Sequence, residues 1–310
     1  MLTYVLKRIG QTILTALLAT MAVFVLLRMA PGDPAANYAP PNPASEQLDA
    51  IREQFGLNDS IPVQFGVFLS HLFRGDVGTS FFFKQPAVDV VLERLPYTIT
   101  LAVSAMLLTA IVAIPLGVWM ARRQHTGREL GANIATIAGQ SMPDFWIGFV
   151  LLIIFAVNLG WFAPAGFTSG SSIVLPTVTI AILQIALISR LVRREMVVNM
   201  SLPYLTVARS RGISERSLTW RYAFANSAIP VVTAIGTRFA AMLNGVVIVE
   251  VVFKWPGVGE LVVNALKQRD FPLIQATVLI TVALALAVQL IVDLLYPLLD
   301  PRVRLGKASA

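Results

Sequence analysis

Residues 97–121 read YTITLAVSAMLLTAIVAIPLGVWMA, a run of 25 positions without one charged side chain. At about 1.5 Å of rise per helical residue, such a run spans the roughly 30 Å of a bilayer's hydrocarbon core. Working outward from it, five more stretches of this character lie at 9–29, 134–157, 174–191, 228–251 and 275–298. Pro143 and Asp144 interrupt the third of the six in chain order, and Gln184 dilutes the fourth. The composition agrees: of 310 residues 56% are hydrophobic and only 13% charged, about half the charged share of soluble domains. The mean hydropathy of +0.73 leaves little from which to build a soluble surface. The expected fold class is all-α integral membrane with six transmembrane helices.

Orientation follows from the basic residues. Fifteen Lys and Arg fall in the N-terminal tail, the 122–133 loop, the 190–227 loop and the tail after 299, against seven in the other three connections. The positive-inside rule then places both termini in the cytoplasm. The same rule accounts for the formal charge of +7 without calling on nucleic acid. The first apolar run, about 21 residues after Lys7-Arg8, exceeds the h-region of a cleaved signal and reads as a retained anchor. Cysteine is absent and only His71 and His125 are present, which excludes thiol nucleophiles, disulfides and the usual zinc clusters. No metal site is expected.

The chain therefore divides into an anchor helix at 1–30, an external segment at 31–96, a five-helix core at 97–299 and a cytoplasmic tail at 300–310. In the external segment Leu48, Ile51 and Phe55 recur at helical spacing behind Ser45, a capping residue. Phe65, Phe68, Leu69 and Leu72 form a second stripe after Pro62. This segment reads either as a lid or docking surface, or as helices resting on membrane lipid.

The cytoplasmic loop 190–227 carries seven arginines and the sequence PYLTVARSRG at 203–212. Pro203 suits a first helical turn and Gly212 a left-handed stop. Ser214 is placed to cap a second helix running through Trp220 and Arg221. Leu205 and Ala208 form a narrow apolar stripe, and Ala208 is small enough for a partner's close approach. The loop reads as a short helix, a tight stop and another helix lying across the membrane face, docked either to a partner or to anionic lipid.

TVARSRG followed by Ile229-Pro230 resembles the cytoplasmic signature of ABC importer permeases, in which Glu-Ala-Ala, three residues and Gly precede an Ile/Pro pair. Ala208 matches the second Ala and Gly212 the Gly. Thr206 and Val207 stand where the general pattern has Glu and Ala, so its acidic contact is missing. These departures, with a longer Gly-to-Pro interval, resemble the dipeptide/oligopeptide/nickel importer subfamily. The likeness extends through YVLKRIGQTI and LLRMAPGDPA near the start, then GDVGTS and LERLPYTITLAVS. It continues in SMPDFWIGFVLL, VEVVFKWPGVGELVVNALKQRDFPLIQA and DLLYPLLDPRVR.

The resemblance implies a type I ABC importer permease fold in a bacterial or archaeal cytoplasmic (inner) membrane. The implied function is the permease subunit of an ATP-driven, binding-protein-dependent importer for short peptides or related small solutes. Its implied partners are a second homologous permease, two ATPase subunits and an external solute-binding protein. The helix carrying Tyr204, Leu205, Thr206, Ala208, Arg209, Arg211 and Gly212 would couple this chain to an ATPase. ATP and Mg would be bound by those partners, with no cofactor on this chain.

The residues themselves offer no chemistry of their own. The only Gly-Lys pair, Gly306-Lys307, lacks the remainder of a phosphate-cradling loop, and neither H-E-x-x-H nor G-x-S-x-G occurs. This predicts a transport subunit and not an enzyme. Ionisable side chains inside spans are functional candidates. Arg28 and Asp293 lie near span ends, within reach of headgroups. Asp144 and Arg238 lie deeper and either line a polar path, with Asn244, or fix packing by pairing. Glu250, Trp255, Pro256 and Gly257, together with Arg269-Asp270, sit at the external ends of the fifth and sixth spans. They read as an external gate or as a re-entrant plug. The competing reading is a proton-coupled secondary transporter using Asp144 or Asp293, which would call for paired repeats that the chain does not show.

Overall fold

Proline and small residues decide how these apolar runs fold. The computed structural model describes residues 2–29, 44–54 and 58–299, and within them the chain is mostly helical, with irregular stretches at 73–86 and 159–169. Helix α1 (Leu2–Met29) is followed by the short α2 (Ser45–Gln54) and α3 (Ile61–Leu72), then by α4 (Ala87–Arg122). Helices α5 (Gly127–Ser141) and α6 (Asp144–Leu151) come next, α6 running into a π-helical turn at Leu152–Asn158. After α7 (Val174–Met200) come α8 (Pro203–Ser210) and α9 (Glu215–Ser217), a second π-helical stretch at Leu218–Phe224 and α10 (Ala225–Gly245). Helices α11 (Val247–Phe253), α12 (Val258–Gln268) and α13 (Phe271–Leu299) complete the described chain. Residues 30–43, 55–57 and 300–310 lie outside the described residues, which takes in the whole expected tail and part of the external segment, Phe55 included.

Four helices are long and apolar enough to cross a membrane unbroken, and six spans result if each of two bent pairs is one span. The third expected span departs most from a simple reading. Gly127–Ser141 and Asp144–Asn158 meet at 101°, because Met142 and Pro143 are both extended (ψ 135° and 140°). Proline has no amide hydrogen to continue the ladder and pushes the residue before it away from helical geometry. The fifth expected span is bent by 57° after Leu243, where α10 gives way to α11.

The second expected span begins ten residues earlier than its apolar run, at Ala87, and passes through Pro96 and Pro115 without ending. Its face toward α7 is small: Ala102, Ala105, Thr109, Ala113 and Gly117 are buried at helical spacing. In a membrane small residues let helix backbones approach closely, since apolarity alone drives no association there. Gly117 shows how close: a Cβ on it would meet the Ser189 carbonyl at 2.5 Å and the Val192 Cβ at 2.6 Å.

On the opposite side from the 122–127 turn, α3 docks its expected stripe on α1. Phe65 and Phe68 stack against Phe24 with ring centroids 5.4 and 5.3 Å away. Asp293 does not simply reach for headgroups: it pairs with Arg8 at 3.3 Å and accepts a hydrogen bond from Gln289, tying α1 to α13. The guanidinium of Arg28 lies over the ring of Phe24, 5.1 Å from its centroid.

Candidate functional site

Two regions at opposite ends of α4 gather the candidate residues. The first is the elbow built by α8 and α9. Helix α8 starts with Pro203 in its first turn and ends at Gly212, whose φ of +78° is the left-handed stop expected for it. Around that glycine the amide of Ile213 donates to the Ala208 carbonyl (3.3 Å) and the amide of Gly212 to that of Arg209 (3.0 Å). This is the Schellman pattern, which satisfies the last carbonyls of a helix. Ser214 then caps α9 by accepting from the Ser217 amide. The second helix does not lie across the membrane face as a separate piece; it runs through the π-helical stretch into α10, so elbow and span are continuous.

The two faces of α8 differ in role. Leu205 and Ala208 are buried in a core shared with Val118 of α4, Val192 and Met196 of α7, and Val231 of α10. The small Ala208 therefore faces this chain's own core, where sequence spacing had suggested a partner. Tyr204, Thr206, Val207, Arg209, Arg211 and Gly212 are exposed. The Tyr204 hydroxyl accepts a hydrogen bond from Asn226 at the start of α10 (2.9 Å). Arg209 reaches across the Gly212 turn to Glu215, with its Nε 2.6 Å from Oε1 and its Nη2 3.4 Å from Oε2. This hydrogen bonding holds the Glu215 carboxyl below its ordinary value and raises that of Arg209.

The second region is the hairpin of α11 and α12. Glu250 is fully buried, and its carboxylate accepts from the Thr98 hydroxyl (2.7 Å), the Gly259 amide (2.7 Å) and the Glu260 amide (3.2 Å). It thus caps the N-terminus of α12 from a neighbouring helix, an electrostatically favourable place for an anion. The Thr98 oxygen in turn accepts from the Val258 amide (2.8 Å). Trp255 is buried with its indole N–H on the Tyr97 carbonyl (3.1 Å), and its ring meets Tyr97 and Phe167 edge-on. A Cβ on Gly257 would run into the Glu250 carboxyl group, so a side chain there would have to displace it from its hydrogen bonds. Pro256 lies in the tight turn between the two helices.

A second buried carboxylate repeats the device nearby. Asp270 caps α13 by accepting from the Leu273 amide (3.2 Å) and holds the 80–82 turn through the Ser80 hydroxyl (2.5 Å) and the Phe82 amide (3.1 Å). Sequence pattern singles out neither Thr98 nor Gly259 nor Ser80. No local signal could have found Thr98 or Ser80, which lie 152 residues from Glu250 and 190 from Asp270; Gly259 is only nine residues from Glu250. Glu215 was legible in principle, as an acid flanking the same glycine turn as Arg209.

The expected path residues remain apart. Asp144 is partly buried at the start of α6 and Arg238 is exposed on α10, and no ion pair joins them among the described residues. Asn244 lies in the last turn of α10, with its side chain outside what the structure describes. A cleft of about 160 Å³ lies among the end of α10, the α11–α12 hairpin and α13, lined by residues such as Leu243, Val246, Val258, Val262, Val278 and Thr281. Its lining carries no charged group. Among the described residues, no cluster of three or more His, Cys, Asp or Glu side chains could hold a metal ion.

A bundle of apolar helices with four to six candidate spans, an exposed helical elbow at one end and a pinned hairpin at the other is the build of a multi-span membrane protein. The sequence carries the model of the binding-protein-dependent transport system inner membrane component over residues 113–305, preceded by that family's N-terminal region over 1–102, and the chain belongs to this family. Among its relatives is a probable peptide ABC transporter permease protein of Sinorhizobium fredii, 38% identical over 97% of this chain and 99% of that one. The dipeptide transport system permease protein of Lactococcus lactis is 32% identical over 98% and 100%. The glutathione transport system permease protein of Salmonella typhimurium is 35% identical over 90% and 92%. Of solved structures, the inward-facing MetNI methionine ABC transporter matches with a TM-score of 0.57 at 12% identity, covering 68% of this chain and 96% of that one. A histidine-bound amino acid ABC transporter matches at 0.51 and 15%, over 67% and 93%.

The chain is thus an ABC importer permease of the inner membrane, a transport subunit and not an enzyme, with ATP hydrolysed on separate subunits. The family implies ATPase subunits and a substrate-binding protein as its partners. The alternative of a proton-coupled carrier built on Asp144 or Asp293 is displaced by this membership.

Proposed function

We propose that this chain forms half of the translocation path of an importer for short peptides or related small solutes, with a second homologous permease forming the other half. Both termini face the cytoplasm, two ATPase subunits bind there, and an external solute-binding protein delivers the solute to the opposite face. The substrate class rests on the relatives, which are named for peptide, dipeptide and glutathione transport. Residues 1–30 serve as an anchor, 31–96 as the external segment, 97–299 as the core and 300–310 as the tail.

One observation carries the coupling role of α8: the helix is rooted and presented at once. Its inner face, Leu205 and Ala208, belongs to the core shared by α4, α7 and α10, while Tyr204, Val207 and Arg211 are exposed. A push on the exposed face therefore reaches three membrane helices through packed side chains, and close-packed cores transmit strain. Coupling requires that ATP-driven contacts favour one arrangement of those helices over another. Arg238, Asp144 and Asn244 line the path, and the α11–α12 hairpin forms its external gate. Glu250 and Trp255, both buried, serve that gate by fixing its shape and not by touching solute.

The test is purification of the assembly from native membranes in mild detergent, with assay of ATP hydrolysis. Recovery of a second permease and two ATPase chains, with hydrolysis altered by changes at Tyr204 and Val207, is the expected result. Recovery of this chain as a lone homo-oligomer without ATPase would refute the proposal.

A further inference from the structure

We propose that Glu215 is a positioning residue for coupling: it clamps Arg209 across the Gly212 turn and so fixes the angle at which α8 is presented to the ATPase. The inference rests on the coupling role of α8 argued above. It assigns Arg209 to an internal contact, where its place on an exposed basic helix suggests a direct hold on the partner.

The geometry of the elbow carries the argument. Helix α8 has only eight residues, too few to hold its direction by itself, since short helices are marginal without tertiary support. At its first turn the Tyr204 hydroxyl is tied to Asn226 of α10. In its middle, Leu205 and Ala208 enter the shared core. Beyond Ala208 no side chain of the helix is buried: Arg209, Ser210 and the cap residue Arg211 are all exposed. Past the glycine turn Ile213 packs against the same core, and the polar hold on this end is the two-pronged contact of Arg209 with Glu215, which stands at the start of the helix leading into α10. A glycine turn alone is a hinge, because glycine adopts many backbone conformations at little cost. The guanidinium fork matches a carboxylate in a plane and so fixes direction as well as distance. The clamp thus spans the hinge between the piece the ATPase would push and the span that moves.

Other charged groups around the clamp do not substitute for it. Arg122 at the end of α4 adds a favourable field at Glu215 without a hydrogen bond to it, and Arg211 and Arg216 are exposed. An exposed ion pair adds little to folding stability. Its effect here is on orientation, which a stability measurement would miss and a coupling measurement would detect.

The experiment uses the purified complete transporter in proteoliposomes, loaded with the peptide pool that supports uptake by the wild type. It reads solute moved per ATP hydrolysed and ATPase chains retained per permease. The variants are Glu215→Gln, Arg209→Glu and the exchanged double variant Arg209→Glu with Glu215→Arg. Both single variants are expected to keep their ATPase chains and lose transport per ATP by roughly threefold, the scale an exposed pair supports. The exchanged variant is expected to recover most of it, since it restores the pair in reverse. An exchanged variant as poor as Arg209→Glu alone would overturn the clamp and assign Arg209 to the ATPase directly. Wild-type coupling in Glu215→Gln would overturn it as well. Failure of the underlying coupling reading looks different: no ATPase subunit would accompany even the wild-type chain.

Discussion

The two ends of α4 pin helix termini by opposite means. At the hairpin end, Glu250 and Asp270 are buried, and each spends its oxygens on backbone amides and a hydroxyl. At the elbow, an exposed ion pair and a glycine turn hold a helix whose outer face is left uncovered. A buried carboxylate that loses its partners is costly, whereas an exposed pair breaks and reforms with little change in energy. The hairpin is therefore built to keep one shape, whereas the elbow is held by contacts that exchange easily, as the coupling role proposed for it requires.

This contrast can be broken by substitution, beginning with the largest expected effect. Glu250→Ala would leave the Gly259 and Glu260 amides and the Thr98 hydroxyl without their acceptor, at about 1–3 kcal/mol for each buried group. The purified protein should lose thermal stability steeply in detergent, and an unchanged melting temperature would show that the hairpin is not held as described. At the elbow Gly212→Val should behave otherwise. No atom lies within 4 Å of a Cβ placed there, so the cost is backbone strain alone, about 1–2 kcal/mol for a left-handed residue. Immunoblots of membranes should find the variant at normal level while uptake falls several-fold; full uptake would remove α8 from the coupling path.

Arg238 lies on the helix that joins the two regions. Arg238→Ala should leave melting temperature and ATPase retention near those of the wild type and reduce uptake of solute. Loss of the whole assembly would instead make it a packing residue between permeases. The smallest effect is a titration. Arg209 holds the Glu215 carboxyl below its ordinary value of 4.5, so the clamp is complete at neutral pH and is lost only as pH falls through that lowered value. Carbon-13 NMR of the Glu215 carboxyl should show Arg209→Gln moving its titration upward, and no movement would mean that the pair is not formed in solution.

Much of the frame was legible because long apolar runs have only one stable arrangement in lipid, the helix. The Gly212 stop and the Ser214 cap were legible because each depends on chemistry within a few residues. The stripe of Phe65 and Phe68 was legible from spacing, and its target, Phe24, was not. Pro143 announced a break, while the 101° angle needed the packing of α5 and α6 on α7. Spacing also exposed the Leu205 and Ala208 stripe without revealing which side it faced. A helix at the membrane surface has apolar neighbours on its own chain as well as on any partner. The Glu250 and Asp270 networks were closed to sequence reading in their distant half: Thr98, Ser80 and Phe82 are brought to these carboxylates only by the finished fold, while Gly259, Glu260 and Leu273 lie within ten residues.

Which face of α8 meets the ATPase is directly measurable, because this chain has no native cysteine. In the assembled transporter, Val207→Cys and Ala208→Cys would each be paired with cysteines placed along the ATPase surface and oxidised. Val207 is 51% exposed and Ala208 only 8%. Disulfide formation from position 207 and none from 208 is the predicted result. Cross-linking from 208 in preference to 207, or from neither in a complex that retains its ATPase chains, would contradict it.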